Sequence, residues 1–142
     1  GIMRHPIDAA MTMNNKTPYE LLGKEEGIRQ LANAVYDAMD HLPEAEKIRH
    51  MHAQSLTDIK EKLFEYLNGW LGGPHLYKQK YGKVCLVDQH KPYAIGEAER
   101  DQWLLCFDTA LDQINASDEL KAMLHEPIRH MADFLVNNRT KA

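Results

Sequence analysis

The chain has 142 residues, 44% of them apolar, with 17 Lys and Arg against 21 Asp and Glu for a net charge of −4. That is the length of one domain, able to bury roughly 68–70% of its unfolded surface without help from a disulfide. Mild acidity, with no basic run of five or more, excludes the clustered cations that nucleic-acid or anionic-membrane binding requires.

Residues 1–16 are polar, carry Met3, Met11 and Met13 without periodicity, and read as a loosely ordered N-terminal extension to a domain spanning 17–142. Thr17 and Glu20 have capping-box spacing and Pro18 suits a first helical position, so a short helix starts there and stops at Gly23. Ile28, Leu31, Ala32, Val35, Tyr36 and Met39 then recur at helical spacing and predict a helix from about Lys24 to Asp40. Pro43-Glu44-Ala45-Glu46 is an acidic helix start whose helix ends near Met51. Ser55, with Asp58 three residues on, predicts the next cap, followed by a stripe of Ile59, Leu63, Tyr66, Leu67 and Trp70 that Gly72-Gly73-Pro74 terminates.

From His75 to Pro92 the pattern is weak, with one turn of helix around Leu76 to Tyr81. Trp103, Phe107, Ala110, Leu111 and Ile114 restore the periodicity and predict a helix from about Glu97 to Ala116. Ser117 caps a last helix carrying Leu120, Leu124, Ile128, Met131 and Leu135, which Pro127 should kink or split. The fold class is all-α.

Cys85 and Cys106 are too far apart for a CxxC motif and suit a reducing compartment, so the expected location is the cytoplasm. The chain holds no run of about 18 apolar residues, and its start lacks the apolar stretch of a signal peptide; no membrane partner is expected. Phosphate-cradling GxGxxG and GxxxxGK[ST] and the GxSxG elbow are missing. Of the eight histidines, the pairs His50/His52 and His125/His130 lack the neighbouring carboxylates or cysteines of a zinc or di-iron site.

His90 differs, because it ends the irregular stretch two residues before Pro92 instead of lying on an exposed helical face. Tyr36 and Trp103 are amphipathic aromatics on apolar stripes, whose O–H and N–H need partners if buried. Singly, each reads as an ordinary turn or core residue. Together they match what a flat apolar cofactor needs: one neutral imidazole for iron, apolar walls and donors on the far side.

Three segments in order resemble the group II truncated haemoglobins, the two-over-two helical globins: Tyr19-Glu20-Leu21-Leu22-Gly23, Val35-Tyr36-Asp37, and Gly69-Trp70-Leu71-Gly72-Gly73-Pro74. The stretch from His90-Lys91-Pro92-Tyr93-Ala94-Ile95-Gly96 through Trp103 to Cys106 is similar to that family's proximal histidine and following helix. The resemblance spans roughly 17–138 and implies a two-over-two helical sandwich around haem b. It implies His90 as the iron ligand, Tyr36 and Trp103 as distal donors, and His52 at a third distal position. Ile59, Leu63, Tyr66, Leu67, Ile95 and Phe107 would line the haem, and Lys62 matches a position that can pair with a propionate. Relatives often carry arginines before the proximal histidine, where this chain has Val84-Cys85-Leu86-Val87-Asp88-Gln89.

The function implied is reversible binding of O2, CO or NO by a monomer or homodimer, with tight O2 binding and slow release. The rival is a haem enzyme turning over NO or peroxide, which would need an external reductase. A helical protein using the same stripes only as core is the third reading.

Overall fold

The computed structural model describes residues 16–83 and 85–138; the expectations for the extension over 1–15 and for Val84 lie outside them. Thr17 accepts the Glu20 N–H at 3.3 Å, and Glu20 reaches back to the Thr17 N–H at 3.2 Å, which closes the capping box at the start of α1 (Pro18–Leu21). Gly23, in the left-handed region at φ 100°, turns the chain into α2 (Lys24–His41).

Helix α2 is the centre of the molecule. Its buried stripe of Ile28, Leu31, Val35 and Met39 meets α4 (Thr57–Trp70) on one side and α7 (Glu97–Gln113) on the other, while α8 (Asp118–Phe134) lies on α7. Phe64, Leu67, Leu71, Phe107, Leu111 and Leu124 fill the space between them. Each such side chain removed from water contributes about 1.5–3 kcal/mol, so this shared face holds the helices together.

Between α2 and α4 the acidic start forms a single 3-10 turn, Pro43–Ala45, leading into α3 (Glu46–His50). Helix α4 begins later than expected. The Ser55 hydroxyl donates to Thr57 Oγ1 and accepts the Thr57 N–H, forming a local turn, and the buried Leu56 becomes the helix boundary. A serine satisfied two residues ahead is not free to cap three residues ahead.

At the other end of α4, the Tyr19 N–H donates to the Leu71 carbonyl at 2.9 Å and draws α1 across. A Cβ on Gly73 would lie 2.4 Å from the Tyr19 ring, and one on Gly72, at φ 112°, 2.6 Å from Thr17. The glycine pair therefore permits this close crossing besides ending the helix.

The weakly patterned stretch contains two short helices, α5 (Leu76–Tyr81) and α6 (Leu86–His90). Neither buries a residue fully, so neither carries an apolar stripe that periodicity could detect. Helix α7 stops at Gln113, and Ser117 caps α8 by accepting the Leu120 N–H at 3.2 Å. Pro127 does not split α8: it is buried with Ile128 on the face packed against α7, and that packing outweighs the missing N–H. Among the described residues every element is helical, and no helix is long and apolar enough to cross a membrane.

Candidate functional site

The short helix α6 ends on His90. Its Nδ1 lies 2.7 Å from the Leu86 carbonyl, one turn back. A carbonyl oxygen only accepts, so Nδ1 carries a proton, and in the neutral imidazole it is then Nε2 that holds the lone pair. This is how metal-binding imidazoles are oriented: the far nitrogen is held so that the near one ligates.

His90 lines a cavity of about 440 Å³ to which each helix from α2 to α8 contributes. Nine residues expected at the site meet there: Tyr36 from α2, His52 after α3, Ile59, Lys62, Leu63 and Tyr66 from α4, His90 itself, Ile95, and Trp103 from α7. Leu67 and Phe107 do not line it; both are fully buried in the core. At about 100° per residue, Ile59, Leu63 and Tyr66 share one face of α4, whereas Leu67 lies about 80° round from Ile59, towards Phe64 and Leu71. Phe107 packs behind Trp103 instead, with ring centroids 5.5 Å apart, and so fixes that ring.

The polar groups have defined roles as donors or acceptors. Burial, helped by the Cys106 thiol, pushes the Tyr36 phenol well above its ordinary range, so it stays protonated and able to donate. The Trp103 indole N–H can only donate. His52 Nδ1 donates to the Ile48 carbonyl at 2.7 Å, which leaves His52, like His90, with a bare Nε2. Burial is the main cause that holds His52 below the ordinary imidazole range, opposed by the Ile48 carbonyl and assisted by the Arg49 charge, so it is neutral near pH 7. The Ile48 N–H in turn donates to Gln102 Oε1 at 3.2 Å, which fastens the His52 segment to α7 beside Trp103.

Several lining residues carry no periodic signal. Met51 ends α3, Tyr77 lies in the weakly patterned stretch and Tyr93 just beyond it, while Met131 and Leu135 are visible in the sequence only as α8 stripe positions. Glu99 Oε1 accepts the Gly96 N–H at 2.7 Å, and its other oxygen is 2.9 Å from Lys47 Nζ. Arg100 is committed to Asp133 at 2.6 Å and Asp101 at 3.0 Å, whereas Lys62 stands exposed at the rim.

A bare metal ion takes three or four protein ligands, and among the described residues no three His, Cys, Asp or Glu side chains converge to provide them. An imidazole presented through Nε2 in a cavity walled by Ile59, Leu63, Met131 and Leu135 instead suits a haem, whose macrocycle would supply the remaining ligands.

Residues 17–137 match the family model described as bacterial-like globin. The chain belongs to the bacterial-like globin family. A globin is a haem-binding protein, in agreement with the donor set above.

Among solved structures, a cold-adapted truncated haemoglobin from Pseudoalteromonas haloplanktis TAC125 is 37% identical, with TM-score 0.83 over 87% of this chain and 99% of that one. A truncated oxygen-avid haemoglobin from Bacillus subtilis is 30% identical, with TM-score 0.76 over 86% of this chain and 100% of that one. The group 2 truncated haemoglobin YjbI of Bacillus subtilis (strain 168) is 29% identical over 127 residues, 89% of this chain and 93% of that protein. The globin fold here is therefore the truncated, two-over-two form expected from the sequence.

Proposed function

We propose that the chain holds haem b through His90 Nε2 and binds O2 reversibly, with Tyr36 and Trp103 as hydrogen-bond donors that make binding tight and release slow. Haem b, when bound, would supply the iron for O2, CO or NO and would shift electron density on to O2. Tyr36 and Trp103 meet that charge with an O–H and an N–H from two different helices. Charge-assisted bonds of this kind contribute about 1.5–3 kcal/mol each, so each slows ligand loss roughly 10- to 100-fold.

One observation carries this reading: an imidazole whose Nδ1 is held by the Leu86 carbonyl shares a cavity with the phenol of Tyr36, which can donate, and the indole of Trp103, which can only donate. The oxygen-avid description of the Bacillus subtilis relative agrees with it. His52 joins the cavity as an acceptor, since its proton is on Nδ1. Lys62, exposed where it lines the cavity, is the side chain we assign to a propionate, in place of the arginines absent before His90. The two free cysteines agree with a cytoplasmic location.

The test is the absorption spectrum of the purified protein as isolated, after reduction, and after reduction under CO. An intense Soret band that shifts with CO is expected. Protein that stays colourless when haem is added would overturn the reading, as would a His90→Ala variant with the spectrum of the parent.

A further inference from the structure

Three tyrosines lead from the cavity to the surface between α4 and α5. Tyr66 and Tyr77 both line the cavity, and their rings meet edge-on with centroids 6.4 Å apart. Tyr77 then meets Tyr81 at 4.5 Å, and Tyr81 is 43% exposed. The last two stand at i and i+4 on α5, the spacing that places side chains one above the other.

Packing alone accounts for the two inner rings but not for the charges around them. Glu65, one residue before Tyr66, is buried; Oε1 has no hydrogen-bond partner and Oε2 is 3.2 Å from Lys80 Nζ. That ammonium lies 5.4 Å from the Tyr81 ring centre. Glu65 also acts on Tyr77, whose phenol is raised mainly by burial, then by Tyr81 and by this carboxylate; burial pushes Tyr66 up to about 12. These phenols therefore keep their protons at rest. A phenol that gives up an electron becomes a strong acid, so its oxidation needs a proton acceptor close by. Glu65 provides an unused one in the interior, and water provides one at Tyr81.

We propose that Tyr66, Tyr77 and Tyr81 form an electron-hopping path through which haem in this cavity, oxidised by hydrogen peroxide, is re-reduced by small anionic one-electron donors at Tyr81. The proposal rests on the haem reading above. Peroxide takes up two electrons and two protons and leaves as two waters. Each electron is replaced by a tyrosine, which loses an electron and its phenolic proton, and the vacancy moves outward from ring to ring. At Tyr81 the neutral tyrosyl radical takes the equivalent of a hydrogen atom, one electron and one proton, from the donor. Two donor molecules are thus oxidised to radicals for each peroxide reduced to two waters. The donor class follows from the surroundings of Tyr81: Lys78, Lys80 and Lys83 are exposed beside it, which favours enediolates and carboxylate-bearing phenols over cationic donors.

Tyr93 is the rival exit, since it also lines the cavity and is 47% exposed. The experiment treats haem-loaded protein, its Soret band verified first, with hydrogen peroxide and a nitroso spin trap in the absence of donor. Adducts are then mapped by peptide mass spectrometry, and dityrosine-linked dimers are read by fluorescence. Adducts on Tyr81 and Tyr81-linked dimers are expected, both lost in Tyr81→Phe. Loss of the Tyr81 adduct is also expected in Tyr77→Phe, with recovery in Tyr77→Trp, whose ring is again oxidisable; that recovery separates a broken path from a damaged fold. Adducts confined to Tyr93, or an undiminished Tyr81 adduct in Tyr77→Phe, would overturn the path while leaving haem binding intact. Failure to form a Soret band would overturn both readings.

Discussion

The rings of Tyr36 and His52 meet edge to face, with centroids 5.6 Å apart and planes at 68°, yet the two residues are opposites in hydrogen bonding. Tyr36 holds a donor O–H, while His52 spends its only proton on the Ile48 carbonyl. Tyr36→Phe should therefore speed O2 dissociation roughly 10- to 100-fold, as should Trp103→Phe, whereas His52→Phe should change it only a few-fold near pH 7. Stopped-flow release measured on the three variants checks this ordering. A His52→Phe effect as large as that of Tyr36→Phe would show that His52 donates to the ligand after all.

Asn137 ties the chain beyond α8 to the loop that follows His90. Its Nδ2 donates to the Tyr93 carbonyl at 2.9 Å and lies 3.4 Å from the His90 carbonyl, while its Oδ1 accepts the Ile95 N–H at 2.8 Å. The Asn137 N–H completes the clamp by donating to the Ile95 carbonyl at 2.9 Å. Helix α6 has little burial of its own, so this side chain restrains the segment that presents His90. Asn137→Ala should cost about 1–2 kcal/mol of stability, since the freed loop groups can turn to water, and should accelerate haem transfer to an acceptor apoglobin. Transfer at the parental rate would mean that α6 is held well enough by other contacts.

Glu99 gives the fold a defined response to acid. Lys47 is the first cause that holds its carboxyl below the ordinary value of 4.5, and the Gly96 N–H adds to it. Its folded pKa is depressed, so its contribution to stability is fully present above pH 4.5 and is lost as the pH falls through the lower folded value. Below pH 4.5 the parent should lose stability more steeply than Glu99→Gln, which keeps an oxygen for the Gly96 N–H but has no charge to titrate. Urea unfolding midpoints between about pH 3 and about pH 6 measure the difference, and parallel slopes for the two proteins would remove Glu99 from the account.

The long helices and the residues that define the cavity's two sides are legible in the sequence for a physical reason. Helices α2, α4, α7 and α8 each bury a stripe against a neighbour, and that stripe is what periodicity detects. Tyr36 and Trp103 stand on such stripes, but their meeting with His90 is legible only through the resemblance of the surrounding motifs. Leu67 escapes this reading because a stripe resolved to one turn does not separate the cavity face of α4 from its core face, about 80° apart. The hydrogen bonds of Ser55, Gln102 and Asn137 leave no trace in the pattern. The partners of Gln102 and Asn137 lie far away along the chain, and an amide or hydroxyl has the same composition whether it faces water or clamps a backbone.

Gly27 shows the same limit from the side of stability. It lies inside α2, where alanine ordinarily improves a helix by about 1 kcal/mol. Here a Cβ would sit 1.8 Å from the Leu22 carbonyl oxygen and 2.5 Å from its carbon. Those atoms belong to the tight turn that Gly23 allows between α1 and α2, so they are backbone that cannot swing aside as a side chain tip would. Gly27→Ala should therefore reverse the usual sign and destabilise the protein by about 1–3 kcal/mol. Because α1 crosses the end of α4 through Tyr19, displacement of Leu22 should also loosen that crossing. Asn33 is exposed on the same helix, so the difference between Asn33→Gly and Asn33→Ala reports helix propensity alone. Thermal unfolding of Gly27→Ala beside that pair separates the clash from the propensity. An alanine variant at Gly27 as stable as the parent would mean that the α1–α2 turn adjusts without cost.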